Sequence, residues 1–345
     1  MSRIRQITCA YAAIFAAVMA TGVSSGQEHV VVSGDIRVRN ENLFGSGGFT
    51  PDGETNHSRI RARVAVARKV DESWDAGLRI ATGGGTTSTN QDLDALNGAA
   101  PLYLDRAFAR FRAGDTNKVE LAAGRMANPY VHSPIVWDSD YNPDGLAEKF
   151  TFGNAFVTLG QHVIAEETDN DFGPGFFVVQ PGFVARGDWG ELELAVAYYL
   201  FDKVAGTHDV PADGDYALAD VYVGFTKKVG MDTPLSAWVD VVSNLEADDD
   251  GGAFGVGFAI GSTRGKGAFK ASLAYMSIDA NALWINLGDA NFSSGLRTAN
   301  MDGFVLGLGV GLGEKTSFGL SWYAKDDRDS DAHQDQLEVD LVIKF

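Results

Sequence analysis

Arginines near the start of the chain are spaced so that they share one surface. Arg59, Arg61 and Arg63 alternate with apolar residues, and side chains two positions apart in a β-strand point to the same face. The same alternation holds for six further arginines in three other segments: Arg37, Arg39, Arg79, Arg106, Arg110 and Arg112. If these segments pair side by side, they predict one cationic strip, the arginine wall, whose electric field attracts anionic groups.

Two interpretations of the arginine wall stay open at the level of sequence. Acidic residues occupy the same predicted face: Asp35, Asp105, Glu120, Glu191 and Glu193. Unpaired arginines would set the conductance and the ion selectivity of a passage. Arginines paired with these acids would instead form a structural ladder with little net charge. We expect the first role and keep the ladder as the alternative.

The second chemically unusual feature is the long segment 127–145, the third long connection of the chain. It combines five apolar or aromatic residues with three acids: Tyr130, Ile135, Val136, Trp137, Tyr141, Asp138, Asp140 and Asp144. Large apolar side chains are costly to expose together, and a long loop that carries them tends to pack on its scaffold. We expect this loop to fold inward and to turn its acids toward the arginine wall. A surface lid over the opening is the alternative.

The last eleven residues, DQLEVDLVIKF (335–345), indicate the scaffold that positions these groups. Every second residue from Leu337 to Phe345 is apolar, and charged residues lie between them. A transmembrane β-barrel gives such a strand one lipid face and one aqueous face. Pairing with the first strand then removes the open edge.

Fifteen further segments of similar length alternate in the same way. The sixteen predicted strands lie near 30–42, 57–70, 74–82, 103–112, 118–126, 146–153, 156–165, 176–186, 191–201, 217–228, 235–243, 253–262, 267–278, 303–312, 317–325 and 335–345. Short and long connections follow one another in turn, which is typical of outer-membrane barrels. The sequence therefore predicts an all-β fold: a 16-stranded antiparallel transmembrane β-barrel with short periplasmic turns, long extracellular loops and an inward-folded third loop.

The direction of the alternation is the same throughout the chain. Leu306 and Leu308, for example, alternate with Gly307 and Gly309. We expect bulky residues to face lipid and small residues to face inward, where they leave a lumen open. Arginine facing lipid at mid-membrane would cost about 2–4 kcal/mol, so the arginines are expected to face inward. A soluble all-β protein is the competing fold.

Composition limits the remaining possibilities. Residues 1–26 combine Arg3 and Arg5 with an apolar stretch and small residues, the pattern of a signal peptide, so the barrel domain is expected to be 27–345. The only cysteine, Cys9, lies in this segment. The formal charge of −18 argues against nucleic-acid binding, which requires a basic surface.

No catalytic, cofactor or metal site is legible in the sequence. His132 next to Ser133, and His162 on a predicted inward face, lack the spacing of a catalytic triad or an HExxH motif. The other long loops are acidic at 166–171, 246–252 and 326–331. We expect them to form a solvated outer rim that meets lipopolysaccharide, with divalent cations as chemically suitable bridges. We therefore predict that the protein is not an enzyme.

Two stretches carry a resemblance to known proteins. The final strand ending in Phe345 resembles the assembly signal of Gram-negative outer-membrane barrels, which implies contact with the barrel-assembly machinery. The segment GRMANPY…WDSDYNPDGLA (124–147) resembles the Putative porin family, and the third loop resembles the constriction loop of general porins. The resemblance to general porins implies a homotrimer in the bacterial outer membrane.

The sequence thus favours a passive outer-membrane channel for small hydrophilic solutes, anionic solutes among them. Its constriction is expected between the arginine wall and the acids of the third loop. The alternative is a non-conducting barrel that acts as a surface adhesin or an envelope anchor.

Overall fold

The computed structural model describes residues 30–46, 54–84, 87–93, 100–164, 174–202, 204, 216–230, 232–284, 287–293 and 300–345. The predicted signal segment 1–26 and the acidic run 166–171 lie outside the described residues. No helix among the described residues is both long enough and apolar enough to cross a membrane.

Sixteen long antiparallel strands form one closed sheet, as the alternation predicted. They are β1 Val30–Ser46, β2 Glu54–Lys69, β3 Trp74–Thr82, β4 Leu102–Ala113, β5 Asn117–Arg125, β6 Asp144–Phe152, β7 Ala155–Val163, β8 Gly175–Gly187, β9 Gly190–Asp202, β10 Ala217–Val229, β11 Thr233–Asn244, β12 Gly252–Gly261, β13 Phe269–Ile278, β14 Met301–Gly311, β15 Thr316–Asp327 and β16 His333–Lys344. Each strand pairs with its neighbours in the chain, and β1 also pairs with β16. A two-residue strand, Gln91–Asp92, extends the edge of β2 beyond the end of the shorter β3.

The barrel closes where the last residue meets the first strand. Phe345 donates its backbone N–H to the carbonyl of Gly34 at 3.1 Å, and Gly34 donates back to Phe345 at 3.2 Å. A Cβ at position 34 would lie 2.5 Å from the Phe345 ring, so only glycine leaves space for this aromatic side chain. Closure leaves no unpaired sheet edge between the two termini of the barrel.

The two faces of the wall differ as the sequence predicted. In β8, Phe177 and Val179 are about half exposed on the outer face (51% and 48%), whereas Phe176 and Val178 are buried on the inner face. Leu194 and Val196 of β9 are likewise exposed on the outer face, at 41% and 45%. The outer surface is therefore a band of bulky apolar side chains, as a membrane-spanning barrel requires.

An irregularity in β4 changes which side chains reach the lumen. Arg79 of β3 pairs with Arg106, but Ile80 pairs with Leu104, so Asp105 is an extra residue in the ladder. Such a β-bulge re-aims neighbouring side chains. Asp105 consequently pairs with Arg79 on the inner side, while Arg106 next to it donates to Asn142 of the third loop.

Candidate functional site: the lumen between the arginine wall and two inner loops

All nine predicted arginines lie on one side of the barrel, in β1, β2, β3 and β4. In β1, Ile36 and Val38 alternate with Arg37 and Arg39, and these two apolar side chains are exposed on the outer face, at 41% and 45%. Arg63 and Arg106 contact residues of the third loop, which packs inside the barrel as described below. The arginine wall therefore faces the lumen.

Most of the wall is paired with acids. Seven arginines share nine carboxylates: Arg39 with Glu338 and Asp340, Arg59 with Glu41 and Asp92, Arg61 with Asp35, Arg63 with Asp35 and Asp140, Arg79 with Asp105, and both Arg110 and Arg112 with Asp75 and Glu120. Among the acids that the sequence proposed as partners, Asp35, Asp105 and Glu120 have this role. Glu191 pairs with Arg186 instead, away from the wall.

The best-defined of these pairs crosses the seam of the barrel. Arg39 of β1 donates from Nε and Nη2 to the two carboxylate oxygens of Asp340 in β16, both at 2.7 Å. It also pairs with Glu338. A planar guanidinium matches a carboxylate in this two-point geometry, so the contact fixes the register of the closing strands.

Two arginines of the wall are exceptions. Within the described residues, Arg37 and Arg106 pair with no carboxylate. Arg37 donates to the amide oxygen of Asn90, and its Nε has no hydrogen-bond partner there. Arg106 donates from Nε to the amide oxygen of Asn142 at 2.6 Å. These two side chains are the cations of the wall that have no carboxylate partner of their own in the described structure.

The third loop, residues 126–143, lies inside the barrel against the opposite wall. Trp137 is 1% exposed. The centroid of its ring lies 5.0 Å from the ring centroid of Tyr141, 5.4 Å from that of Phe176 and 5.5 Å from that of Tyr199. Phe176 and Tyr199 are inner-face residues of β8 and β9. Ile135 and Val136 are buried in the same cluster. The apolar residues that would be costly in water thus anchor the loop to the scaffold.

Polar contacts hold the backbone of the third loop in the same position. The side-chain amide of Gln180 in β8 accepts from the N–H of Val131 at 2.9 Å and donates to its carbonyl at 2.7 Å. The hydroxyl of Tyr130 lies 2.6 Å from Nε2 of His162 in β7. His162 therefore holds the loop. The ring nitrogen Nδ1 of His132 lies 3.0 Å from the adjacent carbonyl of Ser133.

Inward glycines beside the third loop do not have the role expected of them, which was to leave the lumen open. A Cβ at Gly160 would lie 1.6 Å from the Tyr130 hydroxyl, and one at Gly255 would lie 2.4 Å from Ile135. Small residues on this part of the inner face therefore make room for side chains of the third loop. They do not leave that part of the lumen open.

A second loop, of which residues 279–284 and 287–293 are described, also lies inside the barrel and was not recognised from sequence. Leu283, Trp284, Leu287 and Phe292 are buried in the same cluster as the third loop. The N–H of Asp138 donates to the carbonyl of Leu287 at 2.6 Å. The loop contains a short helix, α1 Ala290–Ser293. Six large apolar residues in the sequence 279–300 were the available signal: Leu283, Trp284, Ile285, Leu287, Phe292 and Leu296.

Asp138 joins the two inner loops. Its carboxylate accepts from the backbone N–H of Asp140 at 2.6 Å and from that of Ala290 at 2.8 Å. No lysine or arginine of the described chain pairs with it. Burial raises the pKa of Asp138 to about 7, although the two backbone hydrogen bonds oppose the shift.

Asp140 has the opposite electrostatic environment. Its carboxylate pairs with Arg63 at 2.9 Å and accepts from the hydroxyl of Thr89 at 2.9 Å. Burial alone would raise the pKa of Asp140, but the nearby charges of Arg63 and Arg61 hold it below its usual value. Asp140 therefore stays ionised and links the third loop to the arginine wall.

Asp144, the third predicted acid, is not part of this arrangement. It is the first residue of β6 and pairs with Arg125 at the end of β5, and both side chains are about two-fifths exposed. The third loop ends earlier than the sequence indicated, because Asp144 already pairs with Arg125 in the strand ladder. Arg125 itself was not predicted.

A cavity of ≈ 380 Å³ lies between the arginine wall and the two inner loops. Arg37, Arg39 and Arg61 line one side, and Ser133, Asp138, Ser139 and Asp140 line another. Asn90 and Asn291 add uncharged polar groups. The arrangement brings the predicted wall and two of the three predicted acids together around one polar space.

Comparison with known proteins agrees with this architecture. Residues 49–220 match the model of a family described as Putative porin. A search of curated proteins gave no match. Among solved structures, the chain is similar to Salmonella typhi OmpF in complex with daunomycin, with a TM-score of 0.58, 11% identity and coverage of 94% of this chain and 99% of that one.

Two further solved structures show the same fold. A loop-deletion mutant of OmpT from Vibrio cholerae gives a TM-score of 0.54 at 12% identity, covering 93% of this chain and 100% of that one. A triple mutant of Rhodopseudomonas blastica porin gives 0.50 at 13% identity, covering 92% and 100%. These porins share the sixteen-stranded barrel, and together with the family match they point to the outer membrane. Residues 49–220 of the chain thus resemble the Putative porin family, and the fold of the chain is that of the general porins.

Proposed function

We propose that the chain forms a passive outer-membrane channel for small hydrophilic solutes, with its narrowest part between the arginine wall and the third loop. The ion pair between Arg63 and Asp140 supports this most directly, because it joins the wall to a loop anchored on the opposite side of the lumen. Solutes pass beside this contact by weak, reversible interactions. The predicted pore-lining arginines and the acids Asp138 and Asp140 form the boundary of that passage.

The charge pairing of the wall argues for sieving by size over strong anion selection. Seven arginines are paired with nine carboxylates, and among the described residues of the wall only Arg37 and Arg106 have no carboxylate partner. Charges in such a passage are also screened over about 8–10 Å at physiological salt. We therefore infer that the channel passes small anionic solutes together with other small hydrophilic solutes and does not strongly select for anions.

The filled part of the lumen is the observation that favours the alternative, a non-conducting adhesin or anchor. Both inner loops pack apolar side chains against β8, β9 and their neighbours. Planar-bilayer recording separates the two functions. The channel predicts single-channel steps whose ion selectivity changes when Arg59, Arg61 and Arg63 are replaced by serine. Silent insertion of a folded barrel would instead support the alternative.

The proposal includes partners in the outer membrane. After export directed by residues 1–26, the barrel-assembly machinery would bind the final strand β16 with its terminal Phe345. The exposed acids of the rim, Asp248, Asp249 and Asp250 among them, would meet lipopolysaccharide.

A homotrimer would use the outer face of β2 to β5, where Ala62, Ala76, Ala107, Ala109 and Ala123 allow close approach. Chemical cross-linking of the protein in its native membrane tests the trimer.

A further inference from the structure

We propose that the cavity beside the third loop is a binding subsite for small zwitterionic solutes such as free amino acids, with Arg37 receiving the carboxylate and Asp138 the ammonium group. The inference rests on the proposed channel function and names the class of solute that this channel passes best. It follows from two opposite charges that line one cavity and that have no ionic partner among the described residues.

Arg37 is the cationic side of the subsite. It lies in β1 on the lumen face and lines the cavity. Its neighbours Arg39 and Arg61 also line the cavity, but each is already paired with a carboxylate. Arg37 contacts only the neutral amide of Asn90 and leaves its Nε without a partner in the described structure. The buried Nε does not face the cavity, but Nη1 has no hydrogen-bond partner among the described residues and can donate to a carboxylate.

Asp138 is the anionic side. Its two oxygens accept one backbone N–H each, from Asp140 and Ala290, so about half of the roughly four acceptor positions of a carboxylate remain. Asp140 lines the same cavity, but it is paired with Arg63. Asp138 is therefore the acid of the third loop whose charge no described cation balances. An ammonium group is the ligand that would balance it.

The cavity distinguishes a zwitterion from a simple ion. A carboxylate solute gains the contact with Arg37 but leaves Asp138 uncompensated, and an ammonium solute does the reverse. A solute with both groups satisfies both charges and brings no net charge into the cavity. A volume of ≈ 380 Å³ lies near the lower end of ligand pockets, roughly 300–1,000 Å³, and suits a small amino acid.

The test compares four solutes of nearly equal size in proteoliposomes that contain the full barrel. Alanine carries both charges, lactate has a hydroxyl in place of the ammonium, alaninol has a hydroxymethyl in place of the carboxylate, and propane-1,2-diol has neither. Uptake is measured at low solute concentration and pH 8, and uptake by protein-free vesicles is subtracted. We expect alanine to enter about fivefold faster than lactate or alaninol, and its rate to saturate as concentration rises.

Two substitutions separate the two halves of the subsite. Arg37→Gln should lower alanine uptake to the level of alaninol, and Asp138→Asn should lower it to the level of lactate. Arg264→Gln on the turn between β12 and β13 and Asp248→Asn on the outer rim are the matched controls, and they should leave the preference unchanged. If Asp138→Asn disturbs the inner loops, Arg37→Gln and the saturation of the wild-type rate still decide the question.

The outcomes for the subsite and for the channel are distinct. Equal uptake of all four solutes by a barrel that conducts ions would overturn the subsite and leave the channel intact. Absence of both solute uptake and ion conductance from a folded barrel would overturn the proposed channel, and the subsite with it.

Discussion

The carboxylate of Asp140 in the third loop lies 2.9 Å from the guanidinium of Arg63 in β2. Both side chains are largely buried, so either partner alone would be left as a poorly solvated charge. This pair connects the arginine wall to a loop whose apolar side is anchored on β8 and β9. It therefore sets how far the loop stands from the wall.

Breaking this pair should loosen the loop. We expect Arg63→Gln and Asp140→Asn each to lower barrel stability by about 1–3 kcal/mol and to make the single-channel current noisier. Heat-induced loss of the folded gel mobility and planar-bilayer recording measure the two effects. The double variant should cost less than the sum of the single variants. Strictly additive losses would show that the two side chains do not act as a pair.

Charge pairing in the wall predicts weak ion selectivity. The reversal potential in a KCl gradient should lie close to zero for the natural chain. Asp105→Asn removes the acid that pairs with Arg79 and should shift the reversal potential toward anion selectivity. Arg37→Gln removes an uncompensated cation and should shift it toward cations. Strong anion selectivity of the unchanged protein would contradict the observed pairing.

Trp137 should contribute more to stability than any polar contact of the third loop. Its ring is 1% exposed and lies among Tyr141, Phe176 and Tyr199. Trp137→Ala should cost about 3–5 kcal/mol and should raise the conductance, because the loop loses its anchor. Trp189→Ala, at a position that is 46% exposed, is the control and should change neither quantity much. An unchanged conductance in Trp137→Ala would mean that the loop does not limit the current.

The state of Asp138 should make cation passage depend on pH. Burial raises its pKa to about 7, and the groups that face it are the acids Asp140 and Asp289 with the backbone amides of Asp140 and Ala290. Its negative charge is therefore present above pH 7 and lost as the pH falls below it. Uptake of alaninol should rise between pH 6 and pH 8. Asp138→Asn should remove that rise, and a rise that persists in this variant would assign it to another group.

The fold and the arginine wall were predictable because both depend on the alternation of apolar and polar residues along the strands. A side chain two positions from Ile36 must share its face, so the inward phase of Arg37 and Arg39 follows from strand geometry alone. The burial of Trp137 and Ile135 also followed, since a loop cannot leave several large apolar side chains in water.

The remaining features depend on contacts between residues distant in sequence. Nothing local indicates that Arg39 meets Asp340, 301 positions away, or that Gln180 binds the backbone of Val131. The prediction that inward glycines leave the lumen open was wrong for the same reason. Gly255 makes room for Ile135, which comes from another part of the chain. The inner position of residues 287–293 likewise depends on contact with Asp138.

The central claim is that the current passes between the arginine wall and the third loop, and a single cysteine at Ser139 tests it most directly. Ser139 is exposed and lines the cavity, and the chain has only one cysteine, Cys9, which is first replaced by serine. A cationic thiol reagent should then lower the single-channel conductance of Ser139→Cys in discrete steps. The same reagent should leave Ser243→Cys, on the outer face of β11, unchanged. An unaltered conductance after complete labelling of Ser139→Cys would contradict the account.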